Sequence, residues 1–100
     1  MKNYVYIYHS TQTTPPSADA MAAWNDWFET IGDNLVDGGN PITTAKYVLK
    51  DGQASKEEDT VVGYSIVKAE NLEEAVELAK GSPLANAEGC AVRVYETSEM

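Results

Sequence analysis

The chain predicts an α+β fold of the ferredoxin-like βαββαβ type, with a four-stranded antiparallel sheet and two helices on one of its faces. Three observations carry this. The run from Gly63 to Glu96 reads as a strand, a capped helix and another strand, residues 3 to 9 alternate as a strand, and a long aromatic-striped amphipathic run follows them. At 100 residues the chain is read as a single domain spanning 1–100. A chain of that size buries about 65% of the surface it exposes when unfolded.

The first strand sets Val5 and Ile7 on one face and Tyr4, Tyr6 and Tyr8 on the other. Residues 10 to 17 form a loop, because Pro15 and Pro16 forbid regular structure and Ser17 can cap the helix after it. Ala20, Trp24, Trp27, Phe28, Ile31 and Leu35 recur at steps of three and four, so a helix runs through them until Gly38-Gly39 stops it. The stretch from Ile42 to Leu49, rich in Thr, Val and Tyr, is a second strand that Asp51-Gly52 ends. Residues 51 to 59 are polar and read as an exposed connection, and Thr60 to Ala69 form the third strand. Asn71 then caps a helix with Glu74 three residues on, the spacing of a capping box. Leu72, Ala75, Val76 and Ala79 line one stripe of that helix, and Gly81, able to adopt the left-handed conformation, ends it with Pro83 just beyond. Ala91 to Glu96 are the fourth strand, and residues 97 to 100 a frayed end.

Seven basic and sixteen acidic residues give a formal charge of −9. With the basic residues scattered, no patch exists to hold nucleic acid or an anionic membrane surface. No run reaches membrane-spanning length, and the alternating N-terminus lacks the apolar core of a signal peptide. Cys90 is the single cysteine and fits a reducing compartment, so the expected location is cytoplasmic. One histidine makes a metal site weak, no calcium-loop spacing occurs, and no cofactor is expected.

Val5 and Ile7, with Val92 and Val94, suit the helix-covered face of the sheet. That choice leaves Tyr4, Tyr6, Tyr8, Arg93 and Tyr95 on the uncovered one. So aromatic a face predicts an interface, and the expected partner is a second copy packed sheet against sheet.

Nearly the whole chain resembles the YCII-related (DGPF-type) proteins of the dimeric α/β barrel superfamily. The likeness runs through the YVYIYHS strand, AMAAWNDWFETIGDNLVDGGNPI, VVGYSIVKAENLEEAVELAKGSPL and the closing VRVYE. It implies a ferredoxin-like monomer whose sheets pair into a barrel. The sequence departs from the DGPF branch at Gln53-Ala54, where that branch has proline and phenylalanine. It also has Met21-Ala22-Ala23-Trp24 in the first helix, where hydrolytic or lactone-processing relatives carry a histidine and an aspartate.

His9, the only histidine, ends the first strand and is the candidate acid or base, with Asp33 or Asp37 as the carboxylate if the fold brings them together. The alternative is a strand-end histidine that only hydrogen-bonds locally. Tyr6, Tyr8, Tyr64, Lys46 and Arg93 are candidate polar contacts for a small aromatic or carboxylated ligand, unless the tyrosines serve only the dimer. Trp24 and Trp27 wall such a pocket or pack the core, and their helical spacing favours the core. Two functions are compatible with these residues. One is a dimeric small-molecule-binding or accessory protein; the other is a cofactor-independent isomerase or lyase acting on a lactone-type substrate through His9 and a carboxylate.

Overall fold

Every extended run of the sequence finds an antiparallel partner in the computed structural model, which describes residues 1–11, 18–55 and 60–98. The elements are β1 (Lys2–Ser10), α1 (Ala18–Ile31), β2 (Leu35–Asp37), β3 (Lys46–Leu49), β4 (Gly52–Ser55), β5 (Val61–Ala69), α2 (Leu72–Lys80) and β6 (Cys90–Glu96). The main sheet has the order β2-β5-β1-β6, and all three pairings are antiparallel. Without β3 and β4, this is the βαββαβ arrangement, with both helices on one face.

Three boundaries differ from expectation. Helix α1 stops at Ile31, since Gly32 adopts a φ of 53° and opens a 3₁₀ turn. Asn34 Nδ2 then donates to the Lys68 carbonyl at 2.9 Å and fastens that turn to β5. Leu35 still reaches the core, but from a strand, so the helical spacing ran one turn too far. The second sheet position is filled by Leu35–Asp37 and a bridge from Pro41 to Gly63. Residues 46–49 pair instead with 52–55 in a separate hairpin, so part of the expected polar connection is strand. The Ser17 cap and residues 56–59 lie outside the described residues.

The second helix is capped as expected, with a variation. Glu74 N–H donates to Asn71 Oδ1 at 2.8 Å, while the Glu74 carboxylate accepts from the Glu70 N–H, one residue before the cap. At the other end Gly81 is right-handed, with a φ of −83°. The Asn86 side chain closes the helix instead, donating to the Lys80 and Ser82 carbonyls at 2.9 and 3.0 Å. A left-handed glycine is therefore not what ends this helix.

The main correction concerns β1. Tyr4, Tyr6 and Tyr8 point under the helices and are 0%, 0% and 4% exposed, whereas Val5 and Ile7 lie on the uncovered face. Val92 and Val94 do face the helices, opposite Tyr8 and Tyr6 in the β1–β6 register. Small residues on β5 make room for the tyrosines: Tyr8 pairs with Gly63 and Tyr6 with Ser65. Burying a phenol is tolerable only when its hydroxyl has a partner. Tyr6 donates to the Ala75 carbonyl, Tyr8 to Ser65 Oγ at 2.8 Å, and Tyr4 to Glu96 Oε1 at 3.3 Å. Ser65 Oγ in turn donates to the Gly38 carbonyl at 2.8 Å.

Trp27, Ile31, Val67, Ala69, Ala75 and Ala79 complete the buried core. Trp24 meets Tyr8 edge-on at 4.8 Å between ring centroids, and Trp27 lies 6.0 Å from Tyr6. The Trp27 indole also donates to the Leu78 carbonyl at 3.0 Å, tying α1 to α2. Burial holds the Tyr6 phenol well above its ordinary pKa and pushes that of Tyr8 up to about 12. Both are neutral hydrogen-bond donors at ordinary pH.

Candidate functional site

The inverted parity of β1 decides what the uncovered face carries. Its centre is Val5, Ile7 and Ile66, each half-buried, and its register runs Tyr64–Ile7–Arg93 in one row and Ile66–Val5–Tyr95 in the next. Val36, 49% exposed, extends the apolar surface toward the β2 edge, and Tyr95 is 45% exposed at the β6 edge. Polar groups collect at the end where β1 finishes. Arg93 Nη1 donates to the Tyr95 hydroxyl at 3.3 Å, and Asn40 Nδ2 donates to the Tyr64 hydroxyl at 3.2 Å.

His9 lies in the row beyond Ile7, paired with Ala91 on β6 and with Val61 across a bulge in β5. The bulge brings Thr60 beside the ring, so His9 Nδ1 and Thr60 Oγ1 are 2.9 Å apart. His9 Nε2 is shut off from solvent and has no hydrogen-bond partner among the described residues. If Nδ1 donates, Nε2 offers a lone pair; if Nδ1 accepts, Nε2 offers a proton. In either tautomer Nε2 is the ring nitrogen left without a partner among the described residues.

Of the residues singled out from sequence, the fold brings His9, Tyr64 and Arg93 onto one face. Tyr6 and Tyr8 belong to the interior instead, and Trp24 packs on Tyr8 there. Asp33 lies in the turn after α1, next to Asn34, which is bound to Lys68 opposite Asn3. His9 is six positions farther along β1, about 20 Å at roughly 3.3 Å per residue. Within one chain the two do not meet. Asp37 commits one carboxylate oxygen to the Gly39 N–H at 2.8 Å, and Lys46 stands on the separate hairpin.

Thr60 and Asn40 were missed because a hydroxyl and an amide in loops have no spacing to betray them. A signal for Asn40 did exist in the Gly-Gly-Asn-Pro run. Gly39 has a φ of 76°, and a Cβ there would fall 1.7 Å from the Tyr64 carbonyl oxygen, so glycine lets the loop lie directly on β5. That approach carries Asn40 to Tyr64.

The conserved-domain description of YCII-related proteins matches residues 1–98. The chain belongs to the YCII-related domain family. Comparison with curated proteins and with solved structures yields no significant match. In this YCII-related domain no group of three potential metal ligands occurs among the described residues, and no described helix is long and apolar enough to cross a membrane. Two depressions of the described surface lie away from His9. One is an open groove of about 540 Å³ between α2 and β6, and the other surrounds residues 1–3 and 96–98.

Proposed function

We propose that two copies of this YCII-related protein pack open face to open face, and that the dimer binds a small carboxylated or aromatic molecule beside His9. The observation that carries the reading is the buried His9 Nε2, without a hydrogen-bond partner among the described residues, on the same face as Arg93 and Tyr64. Buried polar atoms are rarely left unpaired, and a ligand atom reaching Nε2 would satisfy this one. Arg93 supplies a planar donor suited to a carboxylate, and Tyr64 a phenol. Val5, Ile7 and Ile66 supply the apolar floor, which is also the surface that a second copy covers.

A second reading has the same residues performing acid/base chemistry without a cofactor, as an isomerase or lyase on a lactone-type substrate. It is favoured by the hydrogen bond between His9 Nδ1 and Thr60 Oγ1, which orients the ring and leaves Nε2 to exchange a proton. Thr60, not Asp33, is then the orienting group. Binding of benzoate and related aromatic acids, and turnover of small lactones and enols, should be measured for the wild type, His9→Ala and Arg93→Ala. Loss of affinity in both variants supports the binding protein. Turnover that His9→Ala abolishes supports the enzyme, and affinity unchanged in both variants with no turnover removes both readings.

A further inference from the structure

Both phenols of the open face are committed in the same sense. Asn40 Nδ2 donates to the Tyr64 oxygen at 3.2 Å, and Arg93 Nη1 donates to the Tyr95 oxygen at 3.3 Å. Each phenol thus spends a lone pair on a nitrogen donor, while its own proton has no acceptor among the described residues. Accepting a hydrogen bond polarises the O–H, so the remaining proton is the better donor for it. Arg93 itself can only donate. His9 alone can change role, because its tautomer decides whether Nε2 donates or accepts.

The charges of the face agree with that polarity. Of the charged residues on β1, β5 and β6, Lys68 and Arg93 stand on the open face, whereas Lys2 and Glu96 share the parity of the buried tyrosines. Asp37, on β2 opposite Ile66, is the carboxylate in register with this face. The strand order puts it three strands from Arg93, about 14 Å at roughly 4.8 Å per strand. The Gly39 N–H already holds one of its oxygens. In a chain with sixteen acidic residues to seven basic ones, a face whose three long strands carry cations and no carboxylate runs against the overall charge.

We propose that the ligand of this site is an acid held through its acceptor oxygens, with Asn40 and Tyr95 as the residues that set this preference. The inference rests on the small-molecule site proposed above and narrows its ligand to carboxylates. Tyr95 and Arg93 together grip the carboxylate, the phenol adding a donor beside the guanidinium. Tyr64 and Arg93 flank Ile7 on neighbouring strands, so a molecule lying across Ile7 meets both. Asn40 is a positioning residue: by occupying the Tyr64 oxygen it turns the phenol proton toward another oxygen of the same ligand. An ammonium group in that place meets a guanidinium and two phenol protons, and an alcohol leaves the guanidinium without its counter-charge.

The test compares two matched sets by calorimetry: benzoate, benzyl alcohol and benzylamine, and succinate with the corresponding four-carbon diol and diamine. The acid of at least one set should bind at least about tenfold more tightly than its alcohol and its amine. With the tighter acid, Tyr95→Phe and Tyr64→Phe should each weaken binding about three- to tenfold. Asn40→Ala should weaken it about threefold in the wild type and no further in Tyr64→Phe, where the hydroxyl it acts through is gone. Asn40 and Tyr95 are exposed, so circular dichroism should be unchanged in their variants. A merely structural Asn40 would lower affinity equally in both backgrounds, and that result, with Tyr95→Phe at wild-type affinity, overturns the roles of both residues. Alcohol or amine binding as tightly as the acid, yet weakened by His9→Ala and Arg93→Ala, overturns the preference for acids and leaves the site standing. Binding by neither set, or binding that His9→Ala and Arg93→Ala leave unchanged, removes the site and this inference with it.

Discussion

The Tyr6 hydroxyl donates to the backbone carbonyl of Ala75, 69 residues away, and so joins the first strand to the second helix through the middle of the core. Ala75 is fully buried and small, which lets α2 approach the ring closely enough for that bond. Removing the hydroxyl alone leaves the packing intact. Tyr6→Phe is therefore expected to cost about 1 kcal/mol, the usual net worth of such a bond, whereas Tyr6→Ala should cost roughly 3–5 kcal/mol through the cavity it opens. Urea midpoints measure both, and equal losses for the two variants would contradict an interior Tyr6.

Ser65 is expected to matter more than its size suggests. It accepts from Tyr8 and donates to Gly38 in a buried relay. Ser65→Ala strands a buried donor and a buried acceptor, so it should destabilise by about 2 kcal/mol or more, and Tyr8→Phe by less. Adding Tyr8→Phe to Ser65→Ala should then cost less than it does in the wild type. A double-mutant cycle with purely additive terms would show that the relay does not form.

The tyrosine row also shows which parts of this fold a sequence reveals. Alternation established that β1 is a strand, but both of its faces are apolar, so hydrophobicity could not choose between them. Assigning Val5 and Ile7 to the covered face left the tyrosines on the open one, where so aromatic a row was read as an interface. Asn3 and His9 share the parity of Val5 and Ile7, and they were the better guide. The small residues Gly63, Ser65 and Ala69 on β5 were a second sign, since large side chains on one strand need small neighbours on the next. Local signals fared well where one element decides the outcome, as at the Asn71 cap. They failed where two distant segments must be matched, as with Leu35–Asp37 on β5 and Thr60 beside His9. The His9–Tyr64–Arg93 face was legible residue by residue, though only the register shows them together.

The two glycines with positive φ on either side of β2 should respond differently to alanine. Gly32, at φ 53°, has nothing within 4 Å of where a Cβ would stand. Gly32→Ala then carries only the left-handed backbone cost of about 1–2 kcal/mol. Gly39→Ala adds a direct overlap with the Tyr64 carbonyl, so the loop must lift off β5 and the Asn40–Tyr64 bond must break. A larger loss of stability is expected, with the Tyr64 ring resonances shifted. Equal costs at both positions would mean that the loop does not lie on β5.

Alkaline pH should destabilise the protein in a defined window. The Tyr6 and Tyr8 phenols are raised by burial above the ordinary value of 10, that of Tyr8 to about 12. Below pH 10 both folded and unfolded chains hold these protons, and the contribution is fully present. Between 10 and about 12 the unfolded chain releases the Tyr8 proton while the folded one keeps it, so stability falls as pH rises. Tyr8→Phe should flatten that fall relative to the wild type. Urea midpoints from pH 8 to 12 read it directly, and identical slopes for the two proteins would place Tyr8 at the surface.

The proposed face-to-face dimer makes the most direct demand. Val5, Ile7 and Ile66 stand on an uncovered sheet face in a chain whose true core is on the other side, so a charge at Ile7 costs little within one chain. Across a two-fold interface the same charge is buried twice, without a partner in either copy. Sedimentation at micromolar concentration should therefore give about twice the 10.9 kDa chain mass for the wild type, and roughly the single mass for Ile7→Asp. Tyr6→Phe serves as the control, because its hydroxyl faces the opposite side and its dimer should survive. Should Ile7→Asp stay dimeric while a charged residue at Tyr95 does too, the open face would be excluded as the contact, and the apolar strip would have to be explained by the ligand alone.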